Sequence, residues 1–558
     1  MENQFSTAFQ GKAINKMTRF FSTFLLFTFF FSASLRAQLT SPPPTSADTS
    51  IKILETINAD RQGFKRIDSV TELQFLVGNV HLRQEDTQFF CDSAVYNKAL
   101  RIIEAFGNIH INDNDSVHTY SQYLLYHVDT KIANLKKKVK LTSGKTNLFS
   151  EELQYDINQK IGEYHTGGRL ENGSTTLTSK EAVYYADMKD VYFKQNVDLK
   201  DPKYKLKTDS LLYNTQTEIA TFIALTNIED SAKRKIRTRE GFYDLKNKRA
   251  FFTSRTFIED GPVRVSADNI TSNDSTGEND LVGNAIYSDT AQGVSVLAGR
   301  IFANNKEGYF LATRKPLMII KQEADSIYVA ADTLYSGRLS KLADGRDTVS
   351  LTDTVKGRVV IDAGKSRNDS ADRFFRAYRN VRVFSDSLQA VSDSLFYSGR
   401  DSVFQLFQEP IVWASNNQIT GDTIYLFTVN KKPHRMEVFE NGLLINEVGN
   451  GMYNQIRGNR INGYFIDGNI DYMRAKGNAE SIYYIQDDDS AFVGVNKALG
   501  DIIDMRFVAK ELNRVVVINE VKATMYPIRQ FPEEEKRLRN FKWQDIRRPK
   551  TKFELFGD

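Results

Sequence analysis

Apolar and polar positions alternate in short bursts along this chain, and the bursts recur. Asp209-Ser-Leu-Leu-Tyr213 has relatives at Asp92-Ser-Ala-Val-Tyr96, Asp332-Thr-Leu-Tyr335, Asp393-Ser-Leu-Phe-Tyr397 and Asp422-Thr-Ile-Tyr425. Looser copies stand at Glu151-Glu-Leu-Gln-Tyr155, Lys180-Glu-Ala-Val-Tyr184 and Glu480-Ser-Ile-Tyr-Tyr484. Aligned on their third residue they form an apolar column of Ala94, Leu124, Leu153, Ala182, Leu211, Gly241, Ile270 and Ile301, at steps of 29 to 31 residues. A fixed period of that size marks a stacked-repeat architecture, in which no unit buries its apolar face alone. The pattern within a unit has period two, so it predicts strands, about three to a repeat. Alternation places Asp209, Leu211 and Tyr213 on one face and Ser210 and Leu212 on the other, and the column of Leu211 is the one expected to point inward.

A second column keeps the same period. Gly78-Asn-Val, Gly107-Asn-Ile, Gln195-Asn-Val, Gly283-Asn-Ala and Arg379-Asn-Val each precede an extended segment. Gly and Asn tolerate φ > 0, which a tight turn or bulge requires, so turn chemistry rather than ligand binding explains them. The repeats divide the chain into a first run at 73–335, an irregular insertion or bend at 336–372, and a second run at 373–526. A charged tail at 527–558 follows, with a helix-prone Glu533–Arg539 and a basic Arg547–Lys552. That tail is expected to be solvated, or to contact anionic lipid or a partner.

Ahead of the repeats, Lys12, Lys16 and Arg19 precede an apolar stretch from Phe20 to Ala33, and Leu35-Arg36-Ala37 offers a cleavage site. Residues 1–37 therefore read as a signal peptide, with Met17 an alternative start, and 38–72 as a Pro/Ser-rich leader. Export implies an oxidising compartment, yet Cys91 is the sole cysteine, so stability cannot rest on disulfides within the chain. Lys and Arg total 74 against 70 Asp and Glu among 558 residues, a balance that argues against a nucleic-acid binder.

Catalytic signatures are missing: no HExxH, no Cys/His metal spacing, no nucleophile elbow, no phosphate-binding glycine loop. The Asp residues recur with the repeat, whereas a catalytic acid pair would interrupt it, and strand-entry hydrogen bonding accounts for them. No enzyme activity, catalytic residue, metal or cofactor is expected.

The Gly-Asn-Val turns alternating with Asp-Ser-x-x-Tyr strands from about 73 to 525, behind a signal peptide, resemble the OstA-like family, the β-jellyroll of the lipopolysaccharide-transport proteins LptA and the N-terminal part of LptD. The resemblance implies an all-β fold: an elongated, open β-jellyroll of stacked antiparallel strands in ~30-residue repeats. No C-terminal series of lipid-facing strands like that of an outer-membrane barrel is evident. It further implies a periplasmic bridge associated with the outer membrane, with lipopolysaccharide or a lipid A-type glycolipid as ligand. Partners would be other envelope transport proteins, joined by edge-strand pairing, and further copies of the chain, joined head to tail. The acyl-chain groove would be lined by Leu124, Leu153, Tyr155, Leu211, Tyr213, Ile270, Ile301, Leu334, Leu395, Ile424 and Ile482. Two other readings remain open at this level: an envelope assembly scaffold without lipid, and a secreted polysaccharide-acting β-helix, whose strands would be parallel.

Overall fold

Alternate long strands of the chain carry a left-handed pair at which the pairing bends, and that bend builds the fold. In the computed structural model the strand Asp190–Lys200 pairs with Tyr204–Asn214 in two stretches, and the register shifts between Lys194 and Val197. The two residues at the break, Gln195 and Asn196, have φ of 61° and 55°. Gly107 and Asn108 do the same at 72° and 42°, and Gly283 and Asn284 at 81° and 43°. A bulge inserted at one level of every other long strand turns that strand and its partner through a corner. Each strand thus serves two sheets, and the stack becomes two arms joined along a spine of bulges. Where the bulge widens, the strand splits, as in Ile219–Phe222 and Thr226–Asp230.

The acidic and Asn columns of the sequence meet at this spine. Asn108 Nδ2 donates to Asp92 Oδ2 at 3.0 Å, Asn284 Nδ2 to Asp268 Oδ2 at 2.8 Å, and Asn380 Nδ2 to Asp332 Oδ1 at 3.1 Å. The carboxylate so fills the corner that a Cβ on Gly107 would lie 2.2 Å from Asp92 Oδ2. The repeated Asp is therefore a clamp on the bend. Asp209, expected to share a face with Leu211, instead stands exposed beside the bulge, because the corner interrupts the alternation there.

The structure describes residues 54–556 except 322–325, 344–371, 430–431, 450, 488, 490 and 510. The described residues form 40 strands in one hydrogen-bonded system. The pairings are antiparallel throughout, a pattern that excludes a parallel β-helix. A repeat holds two long bent strands, not three: Glu72–Gln84 and Thr87–Asn97 fill the first. Strands begin before the expected boundary at 73, since Glu55–Asn58 and Arg61–Arg66 already pair with Glu72–Gln84. At the bend or insertion, the strand Thr333–Arg338 and a short helix Leu339–Ala343 precede 344–371, and pairing resumes with Arg373–Phe384. The expected signal peptide, and the leader as far as residue 53, lie outside the described residues.

The inward column holds as one unbroken cross-strand row over most of the stack. From Tyr164 it runs through Ala182, Phe193, Leu211, Phe222, Gly241, Phe252, Ile270, Leu281 and Ile301. It continues through Ala312, Leu334, Ala377, Leu395, Leu406 and Ile424. These side chains and their counterparts on the second arm form a single hydrophobic core from Leu76 to Leu512.

The C-terminal segment is not a solvated tail. Phe531 and Leu538 bury themselves with Leu443, Ile445, Ile482, Tyr484 and Val495 in a second cluster. The helix-prone Glu533–Arg539 shows only a single 3-10 turn, Glu533–Glu535. From there the segment crosses earlier strands as a strap: Lys542 O accepts from Gln418 Nε2 at 2.7 Å, and Arg382 Nη1 donates to Glu554 O at 2.9 Å.

Candidate functional site

Two arms that meet only along a spine leave a mouth on the opposite side, and the Tyr of the repeated motif stands at that mouth. Two residues beyond Leu211, Tyr213 is fully buried; its hydroxyl accepts from Asn172 Nδ2 at 3.0 Å, on a hairpin tip of the other arm. Tyr155 donates to Asp113 Oδ2 at 2.7 Å, and Tyr126 to Gln84 Oε1 at 2.5 Å. Tyr243 reaches Tyr204, and both reach Asp274 Oδ2 at 3.0 Å. The bonds of Tyr126, Tyr155 and Tyr213 and the Tyr243–Tyr204 contact each join residues about 40 apart, so they span the mouth rather than neighbouring strands. Burial pushes the phenols of Tyr126, Tyr155 and Tyr213 above their ordinary range, which keeps them neutral hydrogen-bonding groups. From Gln84 to Asp274 the mouth is latched by these polar rungs.

Among the described residues the rungs then stop. The row that carries Tyr184, Val191, Tyr213, Ala220, Tyr243, Ala250 continues as Ser272, Asn279, Ala303, Phe310, Ser336, Phe375, Tyr397, Phe404 and Leu426. Ser272, Ala303, Ser336 and Leu426 now stand where Tyr latched the arms, and Tyr397, at the same row, lines a cleft instead. In this stretch the interior opens into a cleft of about 530 Å³, lined by Tyr287, Val294, Phe310, Met318, Ile320, Ile327, Phe374, Phe375, Tyr397 and Phe404. Asp289, Gln292, Ser336, Arg373 and Ser402 supply polar lining. A narrow extension of about 40 Å³ runs deeper between Val383, Leu388, Ala390, Leu395, Leu406 and Leu426. The two spaces share Ile327, Phe404 and Thr428 as walls. The larger one is within the size range of small-ligand sites, apolar with a few polar groups.

All eleven expected groove residues are buried: Leu124, Leu153, Tyr155, Leu211, Tyr213, Ile270, Ile301, Leu334, Leu395, Ile424 and Ile482. Ten belong to the main core, but only Leu395 lines the cleft; the others are packed against their own neighbours. Ile482 lies elsewhere. It pairs with Gln455 and Lys497 on the second arm and faces outward into the cluster under the C-terminal strap. The bulge at Gly477 and Asn478 precedes it, so the motif copy at Glu480 sits one arm over from the others.

The remaining chemistry is structural. Cys91 is buried, and burial first, then the neighbouring Asp92, pushes its thiol up to about 12. His81, Phe90, His110 and Tyr120 are cross-strand neighbours, partly buried or exposed; His81 stacks on Phe90 and His110 on Tyr120, with ring centroids 4.4 and 4.6 Å apart. His110 Nε2 and His118 Nδ1 are 3.2 Å apart, and burial with the adjacent imidazole lowers the His110 pKa. Among the described residues no three His, Cys, Asp or Glu converge as a metal site, and no helix is long and apolar enough to cross a membrane.

Comparison with known families matches residues 53–209 to the OstA-like protein family. No curated protein matches the chain.

Proposed function

We propose, from the premise that this chain is OstA-like over residues 53–209, that it carries lipopolysaccharide or another lipid A-type glycolipid between envelope compartments as a periplasmic bridge of outer-membrane assembly. The observation that carries the reading is the unlatched stretch of mouth, where an interior that is otherwise filled by its own side chains leaves an apolar cleft of about 530 Å³. Acyl chains enter between Phe310, Ile327 and Phe404, while the phosphates and sugars remain at the rim near Arg373. Arg373 already donates to Gly308 O at 2.9 Å through one nitrogen, which fixes its guanidinium and leaves other donors for a phosphate. Transfer of apolar chains from water into such a space is favoured by about 0.8 kcal/mol per methylene, so no nucleotide chemistry within the chain is needed for capture. A ligand with several chains demands a wider mouth than this one. The rungs set where widening is easy: among the described residues after Asp274 no tyrosine bond of this kind spans the mouth.

A scaffold role without lipid has one observation in its favour, the filled and latched interior from Gln84 to Asp274. Solvent extraction of the purified protein followed by mass spectrometry separates the two. Recovery of an acylated, phosphorylated glycolipid in near-stoichiometric amount supports carriage; a lipid-free extract from protein purified without detergent favours the scaffold.

A further inference from the structure

The strap laid down by the C-terminal segment is fixed by three glutamines that emerge from separate strands. Gln455 donates to Lys536 O at 2.7 Å and accepts from Leu538 N at 2.8 Å. Gln418 repeats the arrangement with Lys542 O and Gln544 N, both at 2.7 Å. Gln389 accepts from Arg548 at 2.9 and 2.7 Å. All three glutamines are buried, so the strap is held by paired hydrogen bonds of the kind that replace a sheet partner. The residues beyond Arg548 are therefore presented on a rigid base.

That end of the strap carries an unusual combination. Ile546 is 97% exposed and Phe553 84%, the two most exposed large apolar side chains among the described residues. Between them opens a basin of about 360 Å³ to which Lys315, Arg382, Arg547 and Arg548 contribute four cations and Glu554 the one carboxylate. The Glu554 carboxylate is turned back on its own segment, accepting from Lys550 N at 2.8 Å and Thr551 Oγ1 at 3.1 Å. Arg548 is committed to Gln389, but Arg382 makes its bond to the strap through one nitrogen only, and Arg547 is held by Gln544 Oε1 at 3.1 Å. Lys552 lies just outside, over the ring of Tyr328.

We propose that this basin and its two projecting side chains form a docking surface for an anionic phospholipid bilayer, with Ile546 and Phe553 entering the headgroup region and the cations meeting lipid phosphates. Exposed apolar side chains beside a basic collar are the two elements of interfacial membrane binding, and each is weak alone. A soluble protein partner would be expected to offer a shaped apolar counterpart to both protruding residues; a bilayer needs no shape. The surface lies on the outside of the second arm, apart from the cleft, and its test does not depend on what the cleft holds.

Vesicle flotation of the full chain tests it. Binding to phosphatidylcholine vesicles containing roughly 30% phosphatidylglycerol should be strong near 0.1 M salt and fall steeply by about 0.5 M, while pure phosphatidylcholine vesicles capture little. Replacing Lys315→Gln together with Arg547→Gln should lower the partition coefficient about fivefold per cation removed. Ile546→Ser with Phe553→Ser should lower it at constant charge. Each variant should retain the wild-type melting temperature and glycolipid content; if a pair is destabilised, Phe553→Ser alone serves. No flotation of wild type, flotation indifferent to both pairs, or displacement by millimolar inorganic phosphate would each overturn the proposal, the last by revealing a soluble-anion site.

Discussion

Tyr155→Phe is the smallest change that opens a rung without emptying the core. The ring stays and only the hydroxyl leaves, taking with it the 2.7 Å bond to Asp113 Oδ2. Asp113 is buried, and its other side-chain donor is Thr87 Oγ1 at 3.3 Å. A hydrogen bond to a charged group contributes about 1.5–3 kcal/mol, and the carboxylate left behind is poorly placed to recover it from water. If opening of the mouth at this level breaks that bond, the variant opens about ten- to a hundredfold more often, at 1.4 kcal/mol per decade. A global melt is the wrong assay, because a long repeat array need not unfold in one step. Native-state hydrogen exchange is the right one. Amides of Ile102–Asp113 and Val117–His127 near the hairpin tip should exchange faster by that factor, with repeats far along the stack unchanged. Tyr192→Phe, on the outward face, should change nothing at the mouth. Unchanged exchange around Asp113 in the Tyr155 variant would refute the latch.

The same geometry sets four further outcomes. Burial pushes Tyr164 and Tyr204 up to about 12, above the ~10 of a phenol in an unfolded chain; their contribution is complete below pH ~10 and is lost as pH rises toward 12, so denaturation midpoints should fall over that alkaline window. Cys91 should resist thiol reagents in the native protein and react fully in denaturant, since burial keeps it protonated. Ser336→Tyr puts a tyrosine on the mouth row at the level of the cleft; it should occupy part of that space and cut glycolipid recovery severalfold while the fold is retained. Gln418→Ala removes both bonds to the strap backbone, about 1–3 kcal/mol, and should make Lys542 and Arg547 sites of rapid tryptic cleavage.

The inward row is legible in the sequence, because a period of about 30 residues and a period of two leave little freedom for Leu211 and its equivalents. Strand number is not. The Gly-Asn pairs read as a tight turn or bulge between strands, and they are bulges inside one strand; local sequence does not distinguish a corner from an end. Ile482 misleads for a related reason: past Gly477 and Asn478 the outward face of the second arm is apolar too, because the strap covers it. The cleft does leave a trace. In Asp209-Ser-Leu-Leu-Tyr213 the Tyr is four residues after the Asp and reaches the mouth row; in Asp332-Thr-Leu-Tyr335 and Asp422-Thr-Ile-Tyr425 it is three after, which puts Ser336 and Leu426 at the mouth instead. That one-residue slip accounts for two of the open repeats; at Ser272 and Ala303 the tyrosine is replaced, and Tyr397 keeps the four-residue spacing yet lines the cleft. The strap cannot be anticipated from its charge, since its hold depends on Gln389, Gln418 and Gln455, scattered over three strands.

Site-resolved photo-crosslinking in cells tests the central claim most directly. A photoreactive side chain at Phe310, Ile327 or Phe404, in the cleft, should yield adducts with acylated glycolipid, and one at Leu211 or Tyr155, in the latched interior, should yield few. Equal labelling along the whole row would mean that lipid fills both arms and that the rungs are no barrier; adducts absent from the cleft positions in a folded protein would contradict lipid carriage there.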